Sequence, residues 1–262
     1  MSEPPMPSVA RVAPLLALLA LPLPSLGQDA QEIVARADQV RNPDRAFRFD
    51  LALTEYVAGK PVGQNALAIY SKKEPATGQF RNLVLYVQPP GDAGKAVLLD
   101  GRAFWFYDPA SKSSVRISPQ QRLIGQAAVG DVLTVSLAVD YLATLASVET
   151  VQDASRQAKT CWHMDLKASN ELSTYAHVEY WIEQGTYRPV KLKFYSDSGR
   201  LLKILYYRAF EDWLGGKRPT EAVILDAVDS SRVTTAKSSG QRAKEIPETW
   251  FQREFLPRFQ GE

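Results

Sequence analysis

From Ala46 onward, apolar residues recur at every second position and charged residues fill the gaps. Phe47, Phe49, Leu51 and Leu53 alternate with Arg48, Asp50, Ala52 and Thr54. Trp162, Met164 and Leu166 alternate with His163, Asp165 and Lys167, and Val190, Leu192 and Phe194 with Lys191, Lys193 and Tyr195. Leu202, Ile204 and Tyr206 alternate with Lys203, Leu205 and Tyr207. A period of two belongs to a strand with one buried and one solvated face. The charges set the register, because a slip of one residue would bury them. Turn chemistry, such as Ala58-Gly59-Lys60-Pro61, Pro89-Pro90-Gly91, Asp197-Ser198-Gly199 and Gly215-Gly216, separates the runs. That spacing, roughly eight to twelve residues, is the one expected of an all-β barrel or sandwich. Few helix-sized connections intervene, so the pairing is expected to be antiparallel.

The densest stretch is residues 95–133. Ala96 to Leu99 is a short apolar strand, Asp100-Gly101 a tight turn, and Ala103 to Tyr107 a strand with four aromatics. Asp108-Pro109 and Ser111 to Ser114 turn the chain into a third strand, Val115 to Ile117. Three segments have helical periodicity. Asp29 to Arg41 carries Ile33, Ala37 and Val40 and stops at Asn42-Pro43. Asp131 to Ser147 carries Val132, Val135, Val139, Leu142 and Leu145, with Asp131 placed as N-cap. Glu248 to Phe259 reads as a short apolar helix broken by Pro257, and Lys237 to Lys244 as a mobile loop.

The runs Gly94 to Pro109, Arg116 to Arg122 and Gly130-Asp131-Val132 resemble the outer-membrane lipoprotein-sorting proteins of the LolA-like family. So do Cys161 to Lys167, Tyr187 to Lys191 and Gly199 to Lys203, in a subgroup related to LolA but distinct from it. The resemblance spans about Gln31 to Phe259. It implies a mainly β fold, a half-open antiparallel barrel of about eleven strands with a few helices over the concave face. It also implies binding rather than catalysis: a periplasmic carrier holding acyl chains of a lipid or lipoprotein, working as a monomer without a cofactor. Some LolA-like proteins are associated with RND-type exporters, so an inner-membrane transporter of that type is an implied partner.

Residues 1–27 read as a cleavable signal peptide and residues 28–262 as one lipid-binding domain. Val12 to Leu26 is apolar but shorter than the ~20 residues that span a bilayer. Ser25 and Gly27 stand at the −3 and −1 positions of a cleavage site. The formal net charge of +2 gives no reason to expect a nucleic-acid partner. The single cysteine, Cys161, rules out an internal disulfide and reads as a small buried residue.

No catalytic constellation assembles. The two histidines, His163 and His177, fall on neighbouring strands, with Asp165 and Glu179 within reach of a zinc or hydrolytic reading. They fit solvated strand faces better, and no metal is assigned. There is no G-x-S-x-G elbow and no phosphate-cradling glycine loop. Lys191, Lys193 and Lys203 read as water-facing lysines that discourage edge pairing, anionic head groups being their alternative use. Several strands are apolar on both parities, which leaves a cavity and a fully packed barrel equally open from the residues alone. The resemblance favours the cavity. Its lining is then expected from the uncharged parity: Phe49, Leu51, Leu53, Trp162, Met164, Leu166, Val190, Leu192, Phe194, Leu202 and Ile204. Trp105 and Tyr107 are added from the central strand, whose parity is ambiguous. An envelope adaptor without a ligand is the other function class this pattern accommodates. Exported protein is expected to begin at Gln28, and N-terminal sequencing that returns Met1 from the membrane fraction would overturn the cleavage site.

Overall fold

The computed structural model describes residue 1, residues 29–259 and residue 261. The expected leader and its cleavage site lie outside the described residues, apart from Met1. The chain opens with α1 (Ala30–Arg41), where the Asp29 carboxylate accepts the Gln31 N–H at 3.2 Å as an N-cap. Its buried stripe is Ile33, Val34 and Ala37. Six strands follow: β1 (Phe47–Val57), β2 (Lys60–Lys73), β3 (Phe80–Gln88), β4 (Ala96–Leu99), β5 (Phe104–Asp108) and β6 (Ser113–Ile117). A small hairpin, β7 (Arg122–Ile124) and β8 (Ala127–Ala128), leads into two single helical turns, α2 (Val129–Val132) and α3 (Leu137–Asp140). Seven more strands complete the series: β9 (Tyr141–Gln152), β10 (Ala158–Ala168), β11 (His177–Glu183), β12 (Pro189–Tyr195), β13 (Leu201–Trp213), β14 (Gly216–Asp226) and β15 (Arg232–Ala243). The chain ends in two 3-10 turns, Glu248–Phe251 and Arg253–Arg258.

Thirteen strands form one sheet in the order β6-β5-β4-β3-β2-β1-β15-β14-β13-β12-β11-β10-β9. Every neighbouring pair is antiparallel, and the β1–β15 ladder joins the two halves of the chain. Among the described residues the edges, β6 and β9, have no further partner, so the sheet is open. It is also strongly curled. Thr134 bonds Asn82 on β3, and Tyr141 opens β9 only seven residues later. Seven residues reach at most about 25 Å. The two strands stand nine ladder positions apart, which in a flat sheet is about 43 Å. Only a curled sheet brings them within reach.

Both faces are covered. On one face a continuous apolar cluster joins Leu53, Leu67, Ile69, Met164, Leu166, Tyr180, Leu192 and Leu205 to Ile33, Val34, Val129, Val132 and Leu137 of the covering segments. On the other, Tyr70, Leu83, Leu98 and Tyr107 pack beneath Ile246, Phe251, Leu256 and Phe259 of the C-terminal turns. The double cover explains why β2–β5 are apolar at both parities.

Four expectations are corrected. The helix over Asp131–Ser147 does not form; the segment is α2, α3 and the first half of β9. Leu142, Leu145 and Val148 of β9 are exposed, so the helical spacing of apolar residues was not a buried stripe. The β-branched Thr144, Val148, Thr150 and Val151 suit a strand, and the ladder to β10 outweighs the weak helical pattern. The Lys237–Lys244 stretch is β15 almost to its end, paired with β1 and, over Lys237, with β14. The C-terminal apolar run forms 3-10 turns with Pro257 inside the second. The main sheet has thirteen strands rather than about eleven, the surplus including β9, read as helix.

The β9 edge is partly satisfied by a side chain. Gln31 Nε2 donates to Tyr141 O at 2.9 Å and Gln31 Oε1 accepts Ala143 N–H at 2.9 Å. The amide thus occupies the place of a peptide unit in a neighbouring strand.

Adjacent positions on β12 separate the two faces. Leu192 is 2% exposed and lies opposite Tyr180 and Leu205, whereas Lys193 pairs with Glu179 at 3.1 Å on the other face. Leu192→Glu is expected to cost about 3–5 kcal/mol, an uncompensated buried charge, and Lys193→Glu about 1 kcal/mol. Urea midpoints of the two variants check this; equal midpoints would refute the face assignment.

Candidate functional site

The segment 129–140 lies across the covered face with little helix of its own. Its backbone groups are bonded instead by polar side chains of α1, β3 and the residues flanking them. Asn82, fully buried, accepts Thr134 N–H at 3.1 Å and donates to Thr134 O at 2.9 Å. Ser71 Oγ donates to Asn82 Oδ1 at 2.8 Å and meets Thr134 Oγ1 at 2.8 Å. Gln79 accepts Ser136 N–H at 2.7 Å and donates to Ser136 O at 3.1 Å. From α1, Asp38 accepts Ser136 Oγ–H at 2.9 Å and Ala138 N–H at 2.8 Å while pairing with Arg41 at 2.7 Å. Arg41 and Asn42 both donate to Val135 O, at 2.8 and 2.9 Å.

The start of the segment is held differently. Asp131 is not a side-chain cap of a long helix. Its Oδ2 accepts Ala128 N–H at 2.7 Å and pairs with the Lys203 ammonium, and Oδ1 accepts the Tyr175 hydroxyl at 2.8 Å. Both charged side chains are almost fully buried, 3% and 5% exposed. Lys203 also donates to Gln126 O at 3.0 Å and lies over the rings of Tyr175 and Phe194 at 4.9 and 5.6 Å. Burial, reinforced by the Asp131 charge, pushes the Tyr175 hydroxyl well above its usual range, so it stays a neutral donor.

Two hollows flank this pair. On the Asp131 side is a cavity of about 140 Å³ against β1, β13, β14 and β15, lined by Phe47, Phe49, Leu51, Leu133, Tyr207 and Trp213 and, on its polar side, by Arg41, Asn42, Thr134, Thr220 and Glu221. On the Lys203 side is a more polar cleft of about 300 Å³, bounded by Arg122, Gln126, Tyr175, Arg200, Leu202 and Val228. A separate open groove of about 1020 Å³ runs beside the C-terminal turns, past Arg81, Arg102, Trp105 and Phe251.

The expected lining separates into groups. Phe49 and Leu51 border the cavity. Leu53, Met164, Leu166, Leu192 and Phe194 are buried in the same apolar cluster, and Trp162 sits at its margin, stacked on Tyr187 at 5.2 Å. Leu202 also sits at the margin and borders the cleft. The remaining four face elsewhere. Trp105 and Tyr107 point to the C-terminal turns, and the Trp105 indole N–H donates to Asp100 at 3.0 Å. Val190 is the extra residue of a bulge between Lys191 and Pro189 and packs on Cys161 and Trp181. Ile204 lies opposite Lys193, away from Leu192.

The error on β13 has one cause. A bulge opposite Phe194 and Tyr195 leaves Leu202 unpaired and puts Lys203 opposite Phe194. The charged residue therefore points inward, with Leu205 and Tyr207. Those two and Trp213 were missed because Lys203 was read as facing water. Only the presence of Asp131, a buried partner far away in sequence, reverses that reading.

The histidines are separated. His163 lies opposite Trp181 and His177 opposite Lys167, four ladder positions apart, about 13 Å at the strand rise. His177 contacts Asp165 at 3.0 Å, and His163 stacks on Trp181 at 4.3 Å. No group of three metal-ligating side chains occurs among the described residues. Cys161 is fully buried, and burial pushes its thiol up to about 12.

A family model described as uncharacterized protein-like matches residues 78–258. A LolA superfamily protein from Nitrosomonas europaea is 30% identical, with a TM-score of 0.77 over 86% of this chain and 98% of its own. The chain belongs to the LolA superfamily. Two more distant structures share the fold. A DUF1329 family protein from Desulfovibrio piger is 18% identical, with a TM-score of 0.73 over 87% of this chain and 97% of its own. A putative outer membrane lipoprotein-sorting protein domain from Vibrio parahaemolyticus is 20% identical, with a TM-score of 0.70 over 87% and 98%. A search of curated proteins gave no match.

In this LolA superfamily member the buried pair is the most sensitive point of the cover. Asp131→Ala leaves Lys203 buried without its charge partner, an expected loss of about 3–5 kcal/mol, against about 1 kcal/mol for a lost helix cap. The double replacement Asp131→Leu with Lys203→Met is expected to recover most of that loss. Denaturation midpoints of wild type, single and double variants measure it; a small effect of Asp131→Ala would refute the buried-pair assignment.

Proposed function

We propose that the protein is a periplasmic carrier that holds acyl chains of a lipid or lipoprotein between the covered sheet face and segment 129–140. One observation carries the reading: a curled, open sheet presents a continuous apolar face beneath a cover that packs Val129, Val132 and Leu137 on it and bonds its backbone to side chains. Membership of the LolA superfamily supports it, as does the wording of the Vibrio protein's description.

The volume says how such a carrier works. A cavity of about 140 Å³ is close to the ~150 Å³ that accommodates benzene. Ligand pockets for larger molecules run from roughly 300 to 1,000 Å³. Loading a long chain therefore requires segment 129–140 to lift. Each methylene buried contributes ~0.8 kcal/mol, so the bound chain itself stabilises the lifted state. Hand-over follows when an acceptor competes for the chain and the cover returns. No nucleotide or metal enters this cycle; an RND-type exporter of the inner membrane fits as the partner that drives it, and the carrier acts as a monomer.

The test is direct. Protein purified from the periplasm is extracted and its lipids identified by mass spectrometry, and a fluorescent fatty acid is titrated into delipidated protein. Acyl lipid in the extract and saturable binding are expected. Neither lipid nor binding would replace the carrier by a ligand-free envelope adaptor.

A further inference from the structure

The cleft on the Lys203 side has a chemistry that an apolar carrier does not need. Arg122, on β7, and Arg200, in the turn before β13, border it from two elements distant in sequence. Both side chains are exposed, and neither joins an ion pair among the described residues. Some arginines on the sheet are neutralised, Arg48 by Asp50, Arg208 by Glu221 and Arg232 by Glu55, and what distinguishes Arg122 and Arg200 is that they border one cleft. The cleft's one carboxylate, Asp226, uses Oδ1 to accept the N–H groups of Val228 and Asp229 at 2.7 and 3.0 Å. Lys203 closes the back. The cleft also has apolar walls, Leu201 and Leu202, and Val228 at its rim is 85% exposed. Cations and apolar surface in one hollow of about 300 Å³ suit a molecule with an anionic group and a hydrocarbon part.

The position matters as much as the composition. Asp131 lines the cavity that holds Phe49 and Leu51, and Lys203 lines the cleft, so one buried ion pair is the partition between them. A molecule with its chain in the cavity would cross the partition with its head in the cleft. We propose that this cleft is a subsite for an anionic head group, a phosphate or a carboxylate, clamped by the guanidinium groups of Arg122 and Arg200. The inference rests on the carrier reading and narrows its cargo to acidic amphiphiles. Guanidinium groups match such oxyanions with paired N–H donors, and the contribution weakens as salt screens it.

The test compares two lipids with one acyl chain: palmitoyl lysophosphatidate, with an acidic head, and monopalmitoylglycerol, with a neutral one. Inorganic phosphate is the third probe. Each is titrated calorimetrically into delipidated wild type and into the double variant Arg122→Gln, Arg200→Gln. Both positions are exposed, so the variant is expected to keep the wild-type fold, which circular dichroism verifies. The expected result is lysophosphatidate binding at least about tenfold tighter than the neutral lipid. The advantage shrinks with added salt and is erased in the double variant, while monopalmitoylglycerol binds both proteins alike. Equal binding of the two lipids, unchanged in the variant, overturns the subsite and leaves the carrier standing. Phosphate binding lost in the variant, with neither lipid bound, keeps the anion site, assigns it to a soluble anion and removes the carrier reading. Binding of none of the three probes overturns both.

Discussion

The ion pair between Asp131 and Lys203 ties together elements distant in sequence. Asp131 belongs to the covering segment, Lys203 to β13, and Tyr175 to the loop before β11. Burying two charges is costly, and such a pair contributes little net stability compared with an apolar pair of the same volume. Its effect is positional: an ammonium and a carboxylate that are 5% and 3% exposed tolerate no alternative placement. The pair therefore sets where segment 129–140 begins its path, and the side-chain bonds at Thr134, Val135, Ser136 and Ala138 set the remainder. The contrast with Lys193, whose pair with Glu179 is partly solvated, is instructive. The same residue type, ten positions apart on adjacent strands, sits on opposite faces of one sheet.

That contrast marks what was legible in the chain. Where apolar and charged residues alternated and the charges were solvated, as on β1, β10 and β12 from Leu192 onward, parity read correctly and the faces followed. It failed at two bulges. One turned Val190 outward, and the other put Ile204 outward with Lys203 inward. A bulge adds one residue to a strand and reverses every parity assignment beyond it, and alternation alone does not announce it. The β5 strand failed for another reason. It is covered on both faces, so Trp105 and Phe104 were equally apolar, and the choice depended on the C-terminal turns more than a hundred residues away. The helix over Asp131–Ser147 failed because it weighed spacing without partners: β10 offered a ladder, and Asn82, Gln79 and Asp38 offered bonds to the backbone that helix would have used internally.

The same polar bonds suit the cover to opening. A hydrogen bond inside a protein contributes about 1 kcal/mol net, because water replaces it when it breaks. The cover loses little for each such bond exchanged into solvent, and the main cost of lifting it is the exposure of Val129, Val132, Leu133 and Leu137, which a bound hydrocarbon chain offsets. The apolar sheet beneath has no such exchange available, and its ladders run unbroken from β6 to β9. Local opening of the segment and persistence of the sheet are therefore energetically separable. The buried pair is the exception within the cover, since parting it leaves each charge to be rehydrated or re-paired. It resists opening at one end of the segment, as the buried Asp38, paired with Arg41, does at Ser136 and Ala138. A ligand that supplies its own anion near Lys203 changes that balance. It offers the ammonium a second partner as Asp131 withdraws, so the charge is not left bare. A neutral ligand offers no such replacement. The pair that fixes the closed cover is thus also the group through which head-group charge bears on the ease of opening.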